Sequence, residues 1–155
     1  MSLPELPPCD HQPRSYDGPS YDEVLEMRQT WINPGVFTYY REPLMLVEGH
    51  MQYVWDHTGK RYLDGFGGIC TVSVGHCHPD VTATLTDQAW RIQHAPTIYL
   101  HPTIGQFAKL LASTLPDKLS RVYFVNSGSE ANDLALLMAR LHTGNYDVIA
   151  LRNAY

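Results

Sequence analysis

The stretch FVNSGSEANDLALLMAR, Phe124 to Arg140, joins three patterns. Its first residues close a short, almost continuous apolar run, Val122-Tyr123-Phe124-Val125, of the kind that forms a strand buried on both faces. A small polar turn follows, Asn126-Ser127-Gly128-Ser129. Leu134, Leu137, Met138 and Leu141 then recur at helical spacing up to Gly144, a residue suited to closing a helix. A second apolar run, Val148-Ile149-Ala150-Leu151, comes directly after. Strand, turn, helix and strand in that order make a βαβ unit of a parallel sheet, so the expected fold class is α/β.

In open α/β sheets, ligands sit at the carboxyl ends of strands. Ser127, Gly128 and Ser129 fall there, where a helix begins. The first turn of a helix offers N–H groups without intrahelical partners, and the macrodipole adds partial positive charge. A glycine lets the backbone approach a ligand, and two hydroxyls can donate, so a phosphate suits the place. A plain N-cap made by Ser129 explains the same residues with no ligand. Neither a P-loop pattern nor a dinucleotide fingerprint is present, so the turn by itself leaves both readings open.

Towards the amino terminus, residues 1–20 are rich in proline and read as an extended arm. Asp22 to Trp31 is weakly helical and stops at Asn33-Pro34-Gly35. Three strand patterns follow, at 44–47, 51–55 and 61–63. Asp56-His57-Thr58-Gly59 forms a hairpin turn between the last two, with Asp capping it and Gly supplying a positive φ. A small antiparallel unit of this kind packs poorly alone. Gly65-Phe66-Gly67-Gly68 breaks the pattern and is expected to be flexible rather than to lead into a helix. Pro79 opens one helix, with Val81, Leu85, Ala89 and Ile92 on one face. A second runs from about Thr103 to Leu115, with Ile104, Phe107, Ala108, Leu111 and Leu115 on its face. The expected division is an amino-terminal arm and helix at 1–34, a small antiparallel unit and linker at 35–78, and the beginning of a larger domain at 79–155.

Two stretches, taken together, resemble the class III aminotransferases, of the ornithine and acetylornithine type, which use pyridoxal 5′-phosphate. FVNSGSEANDLALLMAR is similar to their strand, S-G-[ST]-E-A-N and helix. HMQYVWDHTGKRYLDGFGGICTVSVGHCHPDV, from His50 to Val81, is similar to their amino-terminal signature of a D-x-x-G turn, Y-L-D and G-H-x-H-P. The order and spacing also agree, and the likeness runs from about residue 35 onward. Within the family, GICTVSVGHCHP and NSGSEANDLALLMAR look most like the mitochondrial alanine–glyoxylate branch.

The resemblance implies the start of the fold type I pyridoxal-phosphate transferase architecture: a small antiparallel amino-terminal unit plus the first βαβ part of the large-domain sheet, incomplete. It implies that Ser127, Gly128 and Ser129 hold the cofactor phosphate and that Tyr155 stacks on the pyridine ring. Ile69 would face the substrate, and Tyr99 would reach the neighbouring subunit's pocket in a homodimer or homotetramer. His94-Ala95-Pro96-Thr97 departs from the Ser/Thr-rich pattern the family has before that tyrosine. The substrates would be an amino acid (alanine) and a 2-oxo acid (glyoxylate), and the location the mitochondrial matrix, with the cytosol as the alternative because no presequence is seen.

A pyridoxal enzyme needs a lysine and an acid at the ring nitrogen. The chain has three lysines: Lys60 in the hairpin turn, Lys109 on a polar helix face and Lys118 in a loop. None lies in an apolar setting that would lower an amine's pKa. The expectation is therefore an amino-terminal part of an aminotransferase, with no catalytic residue in this chain and no activity alone. Two other readings stay open: a non-catalytic fragment that associates with a complete aminotransferase, and an unrelated phosphate-binding α/β module.

The composition is compatible with each of these. The chain of 155 residues is 44% hydrophobic and 17% charged, as in globular proteins. Its net charge of −5 and lack of basic runs argue against nucleic acid as a partner. No apolar segment approaches the roughly 20 residues that span a bilayer. The three cysteines, Cys9, Cys70 and Cys77, are odd in number and have no C-x-x-C pairing, which suits free thiols. His76-Cys77-His78 lacks the spacing of a zinc site, so no metal is expected; a structural turn is, with both histidines bonding backbone groups.

Overall fold

The computed structural model describes residues 7–116 and 118–154. The chain divides into two compact units, one up to His94 and one from Ala95.

In the first unit, helix α1 spans Tyr21–Trp31. Ser20 caps it: its hydroxyl accepts from the Glu23 N–H at 3.3 Å, and the Glu23 carboxylate accepts from the Ser20 N–H at 2.8 Å. This reciprocal pair satisfies donors that the first turn would leave open. The helix stops where expected, and the Asn33 side chain accepts from the Gly35 N–H to make the turn after it.

Strands β1 (Leu46–His50), β2 (Tyr53–Asp56) and β3 (Arg61–Leu63) form an antiparallel sheet in the order β1-β2-β3. The register slips between Leu46 and Glu48, a bulge that leaves Val47 without an opposite residue. Central strand β2 is the core: Tyr53, Val54, Trp55 and Asp56 are all buried. The amino-terminal arm helps to make it so. The His11 ring lies 5.2 Å from Trp55 and stacks on His50 at 4.4 Å, while His11 Nε2 meets the Glu48 carboxylate at 2.6 Å. The Tyr53 hydroxyl donates to the Pro7 carbonyl, and the Arg61 guanidinium lies over the Tyr53 ring. The hairpin is thus not left to pack alone, because the arm covers it.

The hairpin turn is built on Asp56, as its sequence predicts. Asp56 Oδ1 accepts from the Thr58 N–H, the Thr58 hydroxyl and the Lys60 N–H, and Oδ2 accepts from the Tyr62 hydroxyl. Gly59 takes φ 85, which spares a side chain the cost of that conformation.

After β3 comes α2, Gly67–Cys70, then α3, Pro79–Arg91. The expected starting proline of α3 is in place, but Val81, Leu85 and Ile92 are exposed. A helical stripe shows that a face needs covering and cannot name the cover.

In the second unit, α4 spans Pro102–Ser113 and α5 spans Gly128–Thr143. Phe107 of α4 stacks on Phe124 with ring centroids 5.5 Å apart. Gly144 closes α5, its N–H donating to the Arg140 carbonyl. The runs 122–125 and 148–151 flank α5 as expected, but neither forms a ladder among the described residues. A strand exists only through its neighbours' hydrogen bonds, and the parallel pairing expected for these runs is absent here. Ile149 and Leu151 are accordingly exposed.

Burial raises the pKa of Asp56, but the hydrogen bonds from Thr58, Tyr62 and Lys60 outweigh it and hold the carboxyl at about 2, against an ordinary 3.8. A depressed carboxyl stabilises the fold above its unfolded pKa and loses that contribution as pH falls through its folded one. The urea midpoint should therefore hold above about pH 4 and decline towards pH 2. Asp56→Asn should cost about 2 kcal/mol at neutral pH and flatten that decline. Urea titrations of both proteins across this range check it.

Candidate functional site

The polar turn sits where sequence reasoning puts it, at the first turn of the 16-residue helix α5. Its N-cap, however, is Ser127 rather than Ser129. Ser127 has extended backbone, and its Oγ accepts from the Glu130 N–H at 3.1 Å. Glu130 reaches back, its Oε2 accepting from the Asn126 N–H at 2.6 Å. The S-x-x-E spacing is thus a cap in which the glutamate reaches one residue further than in an ordinary capping box.

This arrangement leaves a defined set of donors. Gly128 and Ser129 occupy the first two helical positions, where an N–H has no intrahelical carbonyl to bond. The Ser127 hydroxyl uses a lone pair in the cap and keeps its proton to donate. Ser129 adds a second, exposed hydroxyl. A Cβ added at Gly128 would meet nothing within 4 Å, and the residue does not have positive φ. Neither packing nor conformation within this chain therefore demands glycine at 128. A bare backbone beside open donors is a cradle that fits an anion held closely, such as a phosphate.

Asp64 and His76 form a second constellation, in the first unit. Their side chains meet at 2.7 Å, Nε2 to Oδ2. His76 also exchanges both main-chain hydrogen bonds with Met51, each 2.7 Å. Gly75 makes this approach feasible: it has φ 102, and a Cβ there would come within 2.9 Å of the Met51 Cα. The other Asp64 oxygen accepts from the Phe66 and Gly67 N–H groups. Hydrogen bonding to His76, then to Gly67, holds the Asp64 carboxyl below its ordinary range.

The glycine-rich segment after Asp64 is not simply irregular. Gly67, Gly68, Ile69 and Cys70 have φ of 56, 59, 58 and 65, one turn of left-handed helix. It closes with the Thr71 N–H donating to the Gly67 carbonyl. For Ile69 and Cys70 this conformation costs about 1–2 kcal/mol each. Ile69 is exposed on this turn. Sequence reasoning missed the turn because glycine permits many conformations, and an aspartate just before it does not by itself specify a left-handed one.

The histidine expectation also changes. The His76 ring bonds a carboxylate, not backbone, and His78 Nδ1 is buried without a partner. Among the described residues no three His, Cys, Asp or Glu side chains converge as a metal site would need. Tyr99 is exposed on a turn closed by its N–H donating to the Pro96 carbonyl. Tyr155 lies outside the described residues. Lys60, Lys109 and Lys118 are exposed, Lys60 lying 5.0 Å from the Tyr62 ring.

The cap and the cradle can be separated. Ser127→Ala should cost about 1 kcal/mol of stability through loss of the cap. Ser129→Ala should stay within about 0.5 kcal/mol of the parent. Thermal unfolding of the two variants checks this.

The residues from 38 to 155 match the family model "Aminotransferase class-III". The chain is 48% identical over 152 residues to mitochondrial alanine–glyoxylate aminotransferase 2 of Homo sapiens, and 49% over 150 residues to a mitochondrial homologue from Arabidopsis thaliana. These alignments cover 98% and 97% of this chain, and 30% and 31% of the relatives. The chain thus spans about three tenths of the length of these curated relatives. Among solved structures, a phospholyase from Arthrobacter, in complex with phosphoethanolamine, is 39% identical with a TM-score of 0.73, over 79% of this chain and 28% of that one. An (S)-enantioselective omega-transaminase from Thermomicrobium roseum is 31% identical with a TM-score of 0.67, over 78% and 28%. A family model that covers most of the chain, relatives near half identity and a shared fold agree: the chain belongs to the class III aminotransferases.

Proposed function

We propose that these residues are the amino-terminal part of a pyridoxal-phosphate-dependent aminotransferase that moves an amino group from alanine to glyoxylate, leaving pyruvate and glycine. The observation that carries the reading is the start of α5. Two main-chain N–H groups and two hydroxyls open at Ser127, Gly128 and Ser129, inside a segment that matches the family. In this reading those three residues hold the cofactor phosphate. The helix dipole adds attraction for its negative charge. Glu130 holds the turn from behind through Asn126, so the donors keep their directions before the ligand arrives. When bound, pyridoxal phosphate supplies the electron sink on which amino transfer depends.

Other parts follow from the same reading. Ile69 faces the substrate, Tyr99 reaches a neighbouring subunit in a homodimer or homotetramer, and Tyr155 stacks on the ring. The reacting lysine lies outside these 155 residues. Supporting this, Lys60, Lys109 and Lys118 are all exposed rather than enclosed in a pocket among the described residues. The 155-residue chain alone is then inactive. A mitochondrial setting is supported by the names of the human and Arabidopsis relatives.

The test uses the full-length protein that carries this segment. With pyridoxal phosphate, alanine and glyoxylate, pyruvate and glycine should form in equal amounts. Ser129→Ala should weaken cofactor binding about tenfold, the effect of losing one charge-assisted hydrogen bond. Phosphate release from phosphoethanolamine without amino transfer would overturn the reading. So would equal affinity for inorganic phosphate and pyridoxal phosphate, which is the behaviour of a general phosphate module.

A further inference from the structure

We infer that Asp64 is a positioning residue: it holds the left-handed turn Gly67–Cys70 and thereby fixes the direction in which Ile69 meets the amino acceptor. The inference deepens the proposed function and rests on its reading of Ile69 as substrate-facing.

The turn is costly because two of its four residues have side chains, and Ile69 is β-branched, the type least suited to positive φ. Such a conformation persists only where its surroundings over-determine it. Packing among the described residues does not do this, since Phe66 is 70% exposed and Ile69 65% exposed. The restraint is polar. Asp64 Oδ1 takes the N–H groups of Phe66 and Gly67, at 3.0 and 2.9 Å, and so sets the entrance to the turn. Its Oδ2 is tied to His76 at 2.7 Å, and His76 is pinned to Met51 by two main-chain bonds. The Thr71 hydroxyl, donating to the Gly68 carbonyl at 2.6 Å, steadies the exit. The carboxylate thus links the turn's first amides to the sheet.

The identity of residue 69 points the same way. Glycine would adopt this backbone without strain, and isoleucine, 65% exposed among the described residues, gains little burial there to offset its cost. An apolar, branched side chain held out from a strained turn is suited to contact something outside these residues, which in the proposed function is the substrate. With Ile69 set in one direction, it limits the room beside the reacting carbonyl. The chemical class it would discriminate is 2-oxo acids by the size of their side chain.

The experiment uses the full-length protein loaded with pyridoxal phosphate and supplied with alanine, and compares kcat/KM for glyoxylate with that for 2-oxobutanoate. Asp64→Ala and Ile69→Gly should each lower the preference for the smaller acid by about tenfold, the scale of one or two methylenes in a pocket. Asp64→Asn keeps a carbonyl oxygen for the two amides and should retain the parent preference. Ile69→Gly should also raise the thermal midpoint, because it removes strain. An unchanged preference in Ile69→Gly, or a lowered midpoint, overturns the inference. Amide exchange tests the clamp without activity: residues 66–70 should exchange about tenfold faster in Asp64→Ala than in Asp64→Asn. Equal exchange overturns it even in an active enzyme. Failure of the parent protein to transfer amino groups, with the expected exchange difference intact, sinks the proposed function and leaves the clamp standing.

Discussion

The first unit is organised by the approach of His76 to the β-hairpin. Its backbone exchanges two hydrogen bonds with Met51, and its ring reaches the Asp64 carboxylate. One residue therefore joins the loop after β3, the connection between β1 and β2, and the entrance to α3. The constraint has a cost in backbone geometry. The non-glycine residues with positive φ among the described residues are Met51, Ile69, Cys70 and Cys77, and all lie in the segments that His76 and Asp64 bring together. Strain and polar restraint occur in the same place because the second is what maintains the first.

The two aspartates of this unit do similar work at different points. Asp56 gathers four donors and closes the hairpin; Asp64 gathers two amides and a histidine and opens the left-handed turn. Both are carboxylates whose charge is satisfied by hydrogen bonds, which is why both titrate low. In the second unit Glu130 plays the related part, bracing the turn before α5 through Asn126. At these three positions the acidic side chain organises backbone amides. At Gly128 and Ser129 the helix itself leaves amides open.

Much of the fold was legible residue by residue. Asp56-His57-Thr58-Gly59 specifies a tight turn through local chemistry, and Pro79 and Gly144 mark helix ends for reasons carried in their own backbones. The polar turn at Ser127–Ser129 was legible as the start of a helix because it lies between an apolar run and a helical pattern. The assignment of the cap was not. Ser127 and Ser129 are both competent caps, and the choice followed from where Glu130 and the helical dihedrals fell. The runs 122–125 and 148–151 read clearly as strands, yet no ladder forms between them among the described residues. Their pattern records a demand for neighbours that hydrophobicity alone does not supply.

By itself, the sequence determined the hairpin turn, the main helices with their starts and stops, the polar turn at the start of α5 and the resemblance that the family match then established. These depend on short-range propensities and on spacing, which a linear chain carries in full. Tertiary structure decided the pairing of Asp64 with His76 and the backbone that Ile69 adopts. The partners are 12 residues apart in the Asp64–His76 pair, and His76 meets Met51 from across the hairpin. Only the folded backbone brings them within hydrogen-bond distance, and only there does a glycine-rich segment become a left-handed turn with one apolar side chain held outward.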